Sequence, residues 1–244
     1  MERLAAGFGR HRRVHIADFL MEEDAEALLR HLRGDPGWRV AIRHGDKRYE
    51  FSPADFTDKQ RESLNRVVRQ ANPDGIHYCF QTVYVPEGED ERAADPTPLN
   101  LFADFLSSAP ILSLVKAITG ANDVLFADGQ ATAYGPGDFL SMHNDDQRDE
   151  KRRAAYSFGL SPSWDVDWGG LLLFPGADGH VERAYTPAFN ALNLFAVPQR
   201  HCVTLVAPFA ESRRYSVSGW FRGGERSPAD QPPSPPPDSS TGRG

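Results

Sequence analysis

Cysteine is scarce in this chain, and positive charge is in the minority. Cys79 and Cys202 are the two cysteines among 244 residues, which is too few for a disulfide framework and is typical of reduced thiols. Lysine and arginine number 27 against 34 acidic residues, which gives a formal net charge of −7. This balance argues against a broad nucleic-acid-binding surface, so we expect no nucleic-acid partner.

Long apolar runs are also absent. No stretch approaches the roughly 18–20 apolar residues of a membrane-spanning helix, and the start from Met1 to Gly7 lacks the apolar core of a secretory signal. We therefore expect a cytoplasmic protein with no membrane partner. A composition of 40% hydrophobic and 25% charged residues is typical of a folded globular chain, and it leaves the oligomeric state open.

Composition divides the chain into three regions. Residues 1–13 are basic and lack a regular apolar period, which predicts a flexible N-terminal arm. Residues 14–222 carry regular helical and strand periods and are predicted to form one domain, with a barrel core at about 120–222. Residues 223–244 are rich in proline, glycine and serine, which predicts a disordered tail, either an idle linker or a short ligand for a partner domain.

The predicted domain begins with helices and ends with strands. Apolar residues at helical spacing predict helices over 21–33, 58–70 and 99–118, the last broken at Pro110. The acidic stretch 86–98 is predicted to be a solvated loop. Short strands are predicted at 14–20, 80–85, 124–134, 155–160, 170–174, 191–195, 202–206 and 215–221. This order predicts an α+β fold, mainly β, built as an open barrel or sandwich.

The segment ending in His143 and Asp145 carries the clearest chemical signal. These residues stand two apart, so on an extended strand both side chains leave the same face. An imidazole and a carboxylate are two of the three ligands of a 2-His-1-carboxylate site for non-haem Fe(II). His201, at the head of an apolar strand, is the candidate third ligand. The alternative is that both histidines are merely hydrogen-bonded at strand ends.

A carboxylate-binding pair follows further along the chain. Arg214 and Ser216 share one face of the last predicted strand, and a guanidinium beside a hydroxyl is suited to gripping a carboxylate. Arg213 competes with Arg214 as the anchor, although the spacing to Ser216 favours Arg214. Iron beside such an anchor is the arrangement that a 2-oxo acid cosubstrate requires.

At this point the sequence resembles the 2-oxoglutarate/Fe(II)-dependent dioxygenase superfamily, in its prolyl 4-hydroxylase-like branch. The motifs that carry the resemblance are Tyr134, Gly137, His143 and Asp145; Gly169, Gly170, Leu172 and Phe174; Asn190 to Phe195; and Arg214 to Phe221. It implies a double-stranded β-helix, a jelly-roll or cupin-like barrel, supported by N-terminal helices.

The resemblance also implies the roles of the site residues. His143, Asp145 and His201 would hold Fe(II) and form the catalytic centre. Arg214, with Ser216 beside it, would bind the distal carboxylate of 2-oxoglutarate. Tyr134 would donate a hydrogen bond to the same cosubstrate, unless it is only a core aromatic. Dioxygen is the other implied cosubstrate, and ascorbate is an optional addition.

The substrate is less tightly specified. The resemblance points to hydroxylation of a prolyl residue in a protein or peptide, and a free amino acid or other small metabolite is the alternative. A non-catalytic cupin-like binding module is the alternative of another class, which the complete set of ligands argues against. The mixed-charge run 148–153 is read as a solvated loop or a lid. Trp168 and Trp220 are expected to pack in the barrel.

Overall fold

The computed structural model describes residues 1–44, 47–55, 57, 59, 62, 75–146 and 151–224. Within these residues the helices are α1 (Glu2–His11), α2 (Glu22–Arg33), α3 (Glu89–Ala94), α4 (Pro98–Leu106) and α5 (Ala109–Thr119). The strands are β1 (Arg13–Ala17), β2 (Arg39–His44), β3 (Lys47–Phe51), β4 (Tyr78–Tyr84), β5 (Val124–Ala127), β6 (Gln130–Tyr134), β7 (Phe139–His143), β8 (Arg152–Leu160), β9 (Leu172–Pro175), β10 (Val181–Tyr185), β11 (Phe189–Ala196), β12 (His201–Val203) and β13 (Arg214–Gly223).

The strands form one antiparallel path that curls into a barrel. Its order is β1-β11-β8-β13-β6-β4-β7-β12-β9-β10, with β2 joined to β4, β3 to β2 and β5 to β13. Strand β4 is the connection between the two halves, because it pairs with β6 through Gln81–Tyr84 and with β7 through Tyr78 and Cys79. The predicted barrel, mainly β and preceded by helices, is therefore what the chain forms.

The helices cover one outer face of the barrel. Their apolar stripes pack against strands β8, β11 and β13 in the largest core cluster, which includes Leu28, Leu106, Phe158 and Phe221, all nearly inaccessible to solvent. No single helix in the described part of the chain is long and apolar enough to cross a membrane; α4 and α5 together pass by length and composition but are bent by 54° at their junction.

The flexible arm predicted for residues 1–13 is wrong, because Glu2 to His11 form helix α1 and residues from Arg13 onward form β1. Phe8 is buried against the core, and Arg12 ends the helix in the left-handed conformation. A single buried aromatic among basic residues gives only a weak apolar period, so this helix has little signal in the sequence. This helix extends the folded domain to the second residue.

Two other local predictions need correction. The stretch 86–98 contains helix α3, whose Arg92 is buried and donates hydrogen bonds to the carbonyls of Pro86 and Glu87 and to Asp104. The break between α4 and α5 precedes Pro110, which lies in the first turn of α5. Proline is tolerated there because the first helical N–H groups have no intrahelical acceptor.

The sequence reasoning missed the hairpin of β2 and β3 and the strand β10. The hairpin pairs Val40 with Phe51 at its base and Arg43 with Arg48 near its tip, and β2 continues the sheet through β4. The helix predicted over 58–70 and the tail after Gly224 lie outside the described residues, apart from isolated positions in the former. Gly223 itself ends β13.

Candidate active site

His143 and His201 meet because their strands are hydrogen-bonded neighbours. His143 ends β7, His201 begins β12, and the two residues are direct partners in the antiparallel register. Asp145 lies beyond the end of β7 with a φ of 60°, a left-handed conformation that aspartate tolerates better than most residues. The potential ligand atoms of all three lie within 4.8 Å of one another. The carboxylate therefore arrives through a turn rather than through the strand alternation that we expected.

The imidazole rings are oriented for metal binding. The Nδ1 atom of His143 lies 2.9 Å from the carbonyl oxygen of Ser141, and that of His201 lies 2.8 Å from the carbonyl of Gln199. A carbonyl accepts only, so each Nδ1 carries the hydrogen and each Nε2 keeps its lone pair. Both Nε2 atoms lie 3.4 Å from Asp145, one from each carboxylate oxygen. Such backbone acceptors are the usual means of fixing a metal-binding histidine.

The electrostatics favour the ligating forms of Asp145 and His201. Burial alone would raise the pKa of Asp145, but the two neighbouring histidines, when protonated, outweigh it and lower the pKa to about 2. Burial, followed by the charge of His143, lowers the pKa of His201 to about 4. At neutral pH the cluster therefore contains an ionised carboxylate beside a neutral imidazole, which is the state a cation requires.

Arg214 lies in the same cavity as the histidines and is 6% exposed. It is the cross-strand partner of Tyr134, and its guanidinium carbon lies 5.1 Å from the centre of that ring. Burial lowers the pKa of the Arg214 guanidinium and raises that of the Tyr134 phenol. A buried guanidinium in a closed barrel end is a fitting anchor for an anion.

The other two candidate anion ligands lie outside the cavity lining. Arg213 is half-buried, precedes the first residue of β13 and is not part of the cavity lining. Ser216 is fully buried, and its hydroxyl lies 2.8 Å from that of Thr132 within the β6–β13 pair. The structure thus brings Arg214 to the site, in line with the favoured alternative, and does not bring Ser216 to the cavity surface.

The cavity has a volume of about 380 Å³ and reveals two residues that the sequence reasoning missed. The ring of Trp220, expected only to pack, lines the cavity and lies 3.4 Å from the guanidinium carbon of Arg152. A guanidinium nitrogen of Arg152 also lies 3.8 Å from a carboxylate oxygen of Asp145. Their signal in the sequence was weak: Trp220 shares a strand face with Arg214.

The mixed-charge run 148–153 is only partly described. Its last two residues, Arg152 and Arg153, begin β8, and Arg153 binds the carboxylate of Asp123 through three hydrogen bonds at the surface. The part that remains as a candidate lid, residues 148–150, lies outside the described residues. Cys202 points away from the metal cluster, and both cysteines are free thiols.

Comparison with known sequences identifies a match for the barrel. Residues 129–222 match the model of the 2OG-Fe(II) oxygenase superfamily. Prolyl 3-hydroxylase OGFOD1 from Mus musculus is 36% identical over 103 residues, which span 39% of this chain and 18% of that protein. The matched stretch therefore covers less than a fifth of the length of this relative.

Solved structures match a larger part of the chain. A Pseudomonas putida prolyl-4-hydroxylase has a TM-score of 0.60 at 20% identity, and the match covers 91% of this chain and 99% of that one. A Trichoplax adhaerens prolyl hydroxylase, solved with a hypoxia-inducible-factor peptide, has a TM-score of 0.54 at 16% identity, covering 91% of this chain and 88% of that one. These matches confirm the predicted double-stranded β-helix, and with the family match they confirm the resemblance to the prolyl 4-hydroxylase-like oxygenases.

Proposed function

We propose that this chain, whose residues 129–222 carry the 2OG-Fe(II) oxygenase superfamily match, is an Fe(II)- and 2-oxoglutarate-dependent dioxygenase that hydroxylates an unactivated C–H bond. One observation carries the proposal: a His143–Asp145–His201 cluster with its ligand atoms within 4.8 Å shares one cavity with the buried Arg214. A metal cluster and an anion anchor in the same enclosure are what an oxygenase with a 2-oxo acid cosubstrate needs.

The donor set fits a ferrous ion. Two imidazoles and one carboxylate match its ligand preference and leave positions open for cosubstrates. The ion supplies redox chemistry with dioxygen, and the protein supplies binding, orientation and the surrounding electrostatics. Ser141 and Gln199 hold the two imidazoles through their carbonyls, so the ligands are arranged before the ion binds.

The opposite wall of the cavity fits 2-oxoglutarate. Arg214 would bind its distal carboxylate, and the hydroxyl of Tyr134, the cross-strand neighbour of Arg214, would add a second contact. The apolar side chains of Leu140, Leu172 and Val203 line the cavity and would limit the access of water to the distal carboxylate of 2-oxoglutarate. In such surroundings a charge-assisted hydrogen bond contributes more than it would in solvent.

The substrate is proposed to be a prolyl residue of a protein or peptide, with a free amino acid or other small metabolite as the alternative. The names of the mouse, Pseudomonas and Trichoplax relatives support a prolyl substrate, since each is a prolyl hydroxylase. The cavity is compatible with it as well, because Trp220 lines the cavity that holds the metal cluster and offers an aromatic ring to a substrate.

Anaerobic titration of the metal-free protein with Fe(II) and 2-oxoglutarate tests the proposal directly. The expected result is a visible metal-to-ligand charge-transfer band that requires both additions and is lost in His143→Ala. His180→Ala is the matched control, because His180 is exposed in a distant turn and lies outside the metal cluster. A folded protein that binds neither Fe(II) nor 2-oxoglutarate would instead be a non-catalytic cupin-like binding module.

A further inference from the structure

Two arginines face each other on the hairpin that the sequence reasoning missed. Arg43 of β2 and Arg48 of β3 are direct cross-strand partners, and both line the cavity that holds the metal cluster. Residues directly opposite on neighbouring strands have Cβ atoms about 4.5–5.5 Å apart, and like charges in this position repel. The fold therefore holds two positive charges side by side at the cavity.

The face on which the pair lies follows from the alternation along both strands. Ala41 packs with Phe80 and Tyr134 on the cavity side, whereas Val40, Ile42 and Phe51 pack on the opposite side. Arg43 and Arg48 continue the Ala41 side, two residues along each strand from Ala41 and Glu50. Lys47 belongs to the opposite side of β3 and does not line the cavity.

The carboxylate nearest to Arg48 on its strand face is already engaged. Glu50 accepts a hydrogen bond from the Tyr84 hydroxyl at 2.7 Å and lies 3.7 Å from the guanidinium of Arg39. Arg48 itself is exposed and makes no ion pair with a carboxylate in the described ranges of the chain. Its charge is thus available to a ligand that enters the cavity.

In the remainder of the cavity several arginines are already paired with an acid: Arg92 with Asp104, Arg222 with Asp128 and Arg152 with Asp145. Its described lining has six arginines and three acids: Arg43, Arg48, Arg92, Arg152, Arg214 and Arg222, with Glu87, Asp128 and Asp145. Asp128 accepts a hydrogen bond from Arg222, and Asp145 belongs to the metal cluster. The hairpin arginines therefore add positive charge to a lining whose other arginines are largely paired, and low-dielectric walls focus the resulting field on an anion.

The arginine pair lies at a more exposed part of the cavity than the cosubstrate anchor. Exposure increases from Arg214, which is buried, through the half-buried Arg43 to the exposed Arg48. The pair is therefore accessible to a second anion that enters from solvent, whereas Arg214 is enclosed.

The edge of the sheet indicates an extended peptide as the carrier of that anion. Within the described residues β3 pairs only with β2, so its outer backbone groups are available to another extended chain. We propose that Arg43 and Arg48 select a peptide with an acidic residue next to the target proline. This inference rests on the proposed function and specifies its substrate class.

Labelled peptides of one length provide the test. Each has a central proline flanked on both sides by aspartate, asparagine or lysine, and binding is followed by fluorescence anisotropy, anaerobically, with Fe(II) and 2-oxoglutarate present. The aspartate peptide is expected to bind about three- to fivefold more tightly than the asparagine peptide, the effect of a partly exposed ion pair. Added salt should reduce the difference, because it screens exposed charges.

Charge reversal identifies the residues responsible. Arg48→Glu should abolish the preference for aspartate and favour the lysine peptide. Lys47→Glu changes the net charge by the same amount on the other face of the same strand and should leave the preference for aspartate intact. The charge-transfer band and the melting temperature of each variant are measured first, so that loss of folding is not mistaken for loss of peptide preference.

Three outcomes would overturn the inference. The three peptides could bind equally, Lys47→Glu could act as strongly as Arg48→Glu, or N-acetyl-aspartate could compete as well as the peptide does, which would indicate a small acidic metabolite. In each case a charge-transfer band that survives leaves the oxygenase proposal standing. If the unmodified protein shows no charge-transfer band, the oxygenase proposal itself is contradicted.

Discussion

His201 lies directly opposite His143 across the β7–β12 pair, and their ring centres are 4.1 Å apart. The strand register therefore places the two imidazoles together, before any ion is considered. Asp145 adds the carboxylate from the turn that follows β7, so its position depends on a local left-handed conformation rather than on the sheet. The strand register thus positions the two histidines, and the turn after β7 positions the aspartate.

Asp145→Ala is expected to lower the affinity for Fe(II) by at least about 10- to 100-fold, since even supporting residues of metal sites have effects of that size. The removed carboxylate is the group that lies 3.4 Å from both Nε2 atoms. Isothermal titration with Fe(II) under argon measures the change. Asp146→Ala removes the neighbouring, exposed carboxylate and should bind iron normally; equal losses in the two variants would contradict the assignment.

Arg214→Gln is expected to weaken 2-oxoglutarate binding by roughly 10- to 100-fold, the size of a lost hydrogen bond to a charged group. Arg213→Gln should leave it nearly unchanged, because Arg213 lies outside the cavity lining. Quenching of tryptophan fluorescence by 2-oxoglutarate, with Fe(II) present, gives both dissociation constants. The reverse pattern would mean that Arg213 is the anchor.

Asn190 ties the barrel to the segment before α2. Its amide accepts a hydrogen bond from the backbone N–H of Leu20 and donates one to the carbonyl of the same residue, both at 2.8 Å. Asn190 is buried and has a φ of 53°, so Asn190→Ala should lower the free energy of unfolding by about 2 kcal/mol or more. Urea denaturation measures it. Asn193→Ala, on the same strand but half-buried, is the control and should cost less.

Gly219 is in close contact with the backbone of the β5–β6 turn. A Cβ atom at this position would overlap the carbonyl oxygen of Asp128 and lie 2.8 Å from the Cα of Gly129. Neither backbone group can rotate away, so Gly219→Ala should destabilise the fold by about 3 kcal/mol. Thermal denaturation by circular dichroism detects this as a large fall in Tm, and an unchanged Tm would contradict the packing described for β13.

A glycine in helix α1 leads to a substitution that is expected to increase stability rather than lower it. Gly9 lies within this helix, and nothing lies within 4 Å of the position that its Cβ would occupy. Gly9→Ala should therefore raise the free energy of unfolding by about 0.5–1 kcal/mol, because alanine loses less backbone entropy in a helix than glycine. A neutral or destabilising result in the same urea experiment would indicate that residues 2–11 are not helical in solution.

Residues with a strong local pattern could be predicted from the sequence. The buried Leu28, Leu29 and Leu32 define α2 almost to the residue, because their spacing matches the helical repeat. His143, His201 and Arg214 could be identified because their chemistry is specific and their neighbours form recognisable strands. These are positions where local sequence and global fold agree.

Other parts of the structure depend on partners that the local sequence does not reveal. The hairpin of β2 and β3 has arginine, lysine and glutamate on one strand, so its apolar alternation is weak, and it is stabilised by pairing with β4. The placement of Trp220 against Arg152 requires the register of β8 and β13, which no spacing within either strand specifies. Pairing between strands distant in sequence therefore determines the hairpin and the position of Trp220, which local propensity does not specify.

Strand β4 lies before the stretch that matches the oxygenase family, and yet it pairs with β6 and β7 inside that stretch. A fragment cut to residues 129–222 would lack β4, and with it the cavity-lining side chains of Tyr78 and Phe80. The edges of β6 and β7 that pair with β4 would then be exposed. Exposed strand edges promote aggregation. The limits of sequence similarity are therefore not the limits of an autonomous folding unit in this protein.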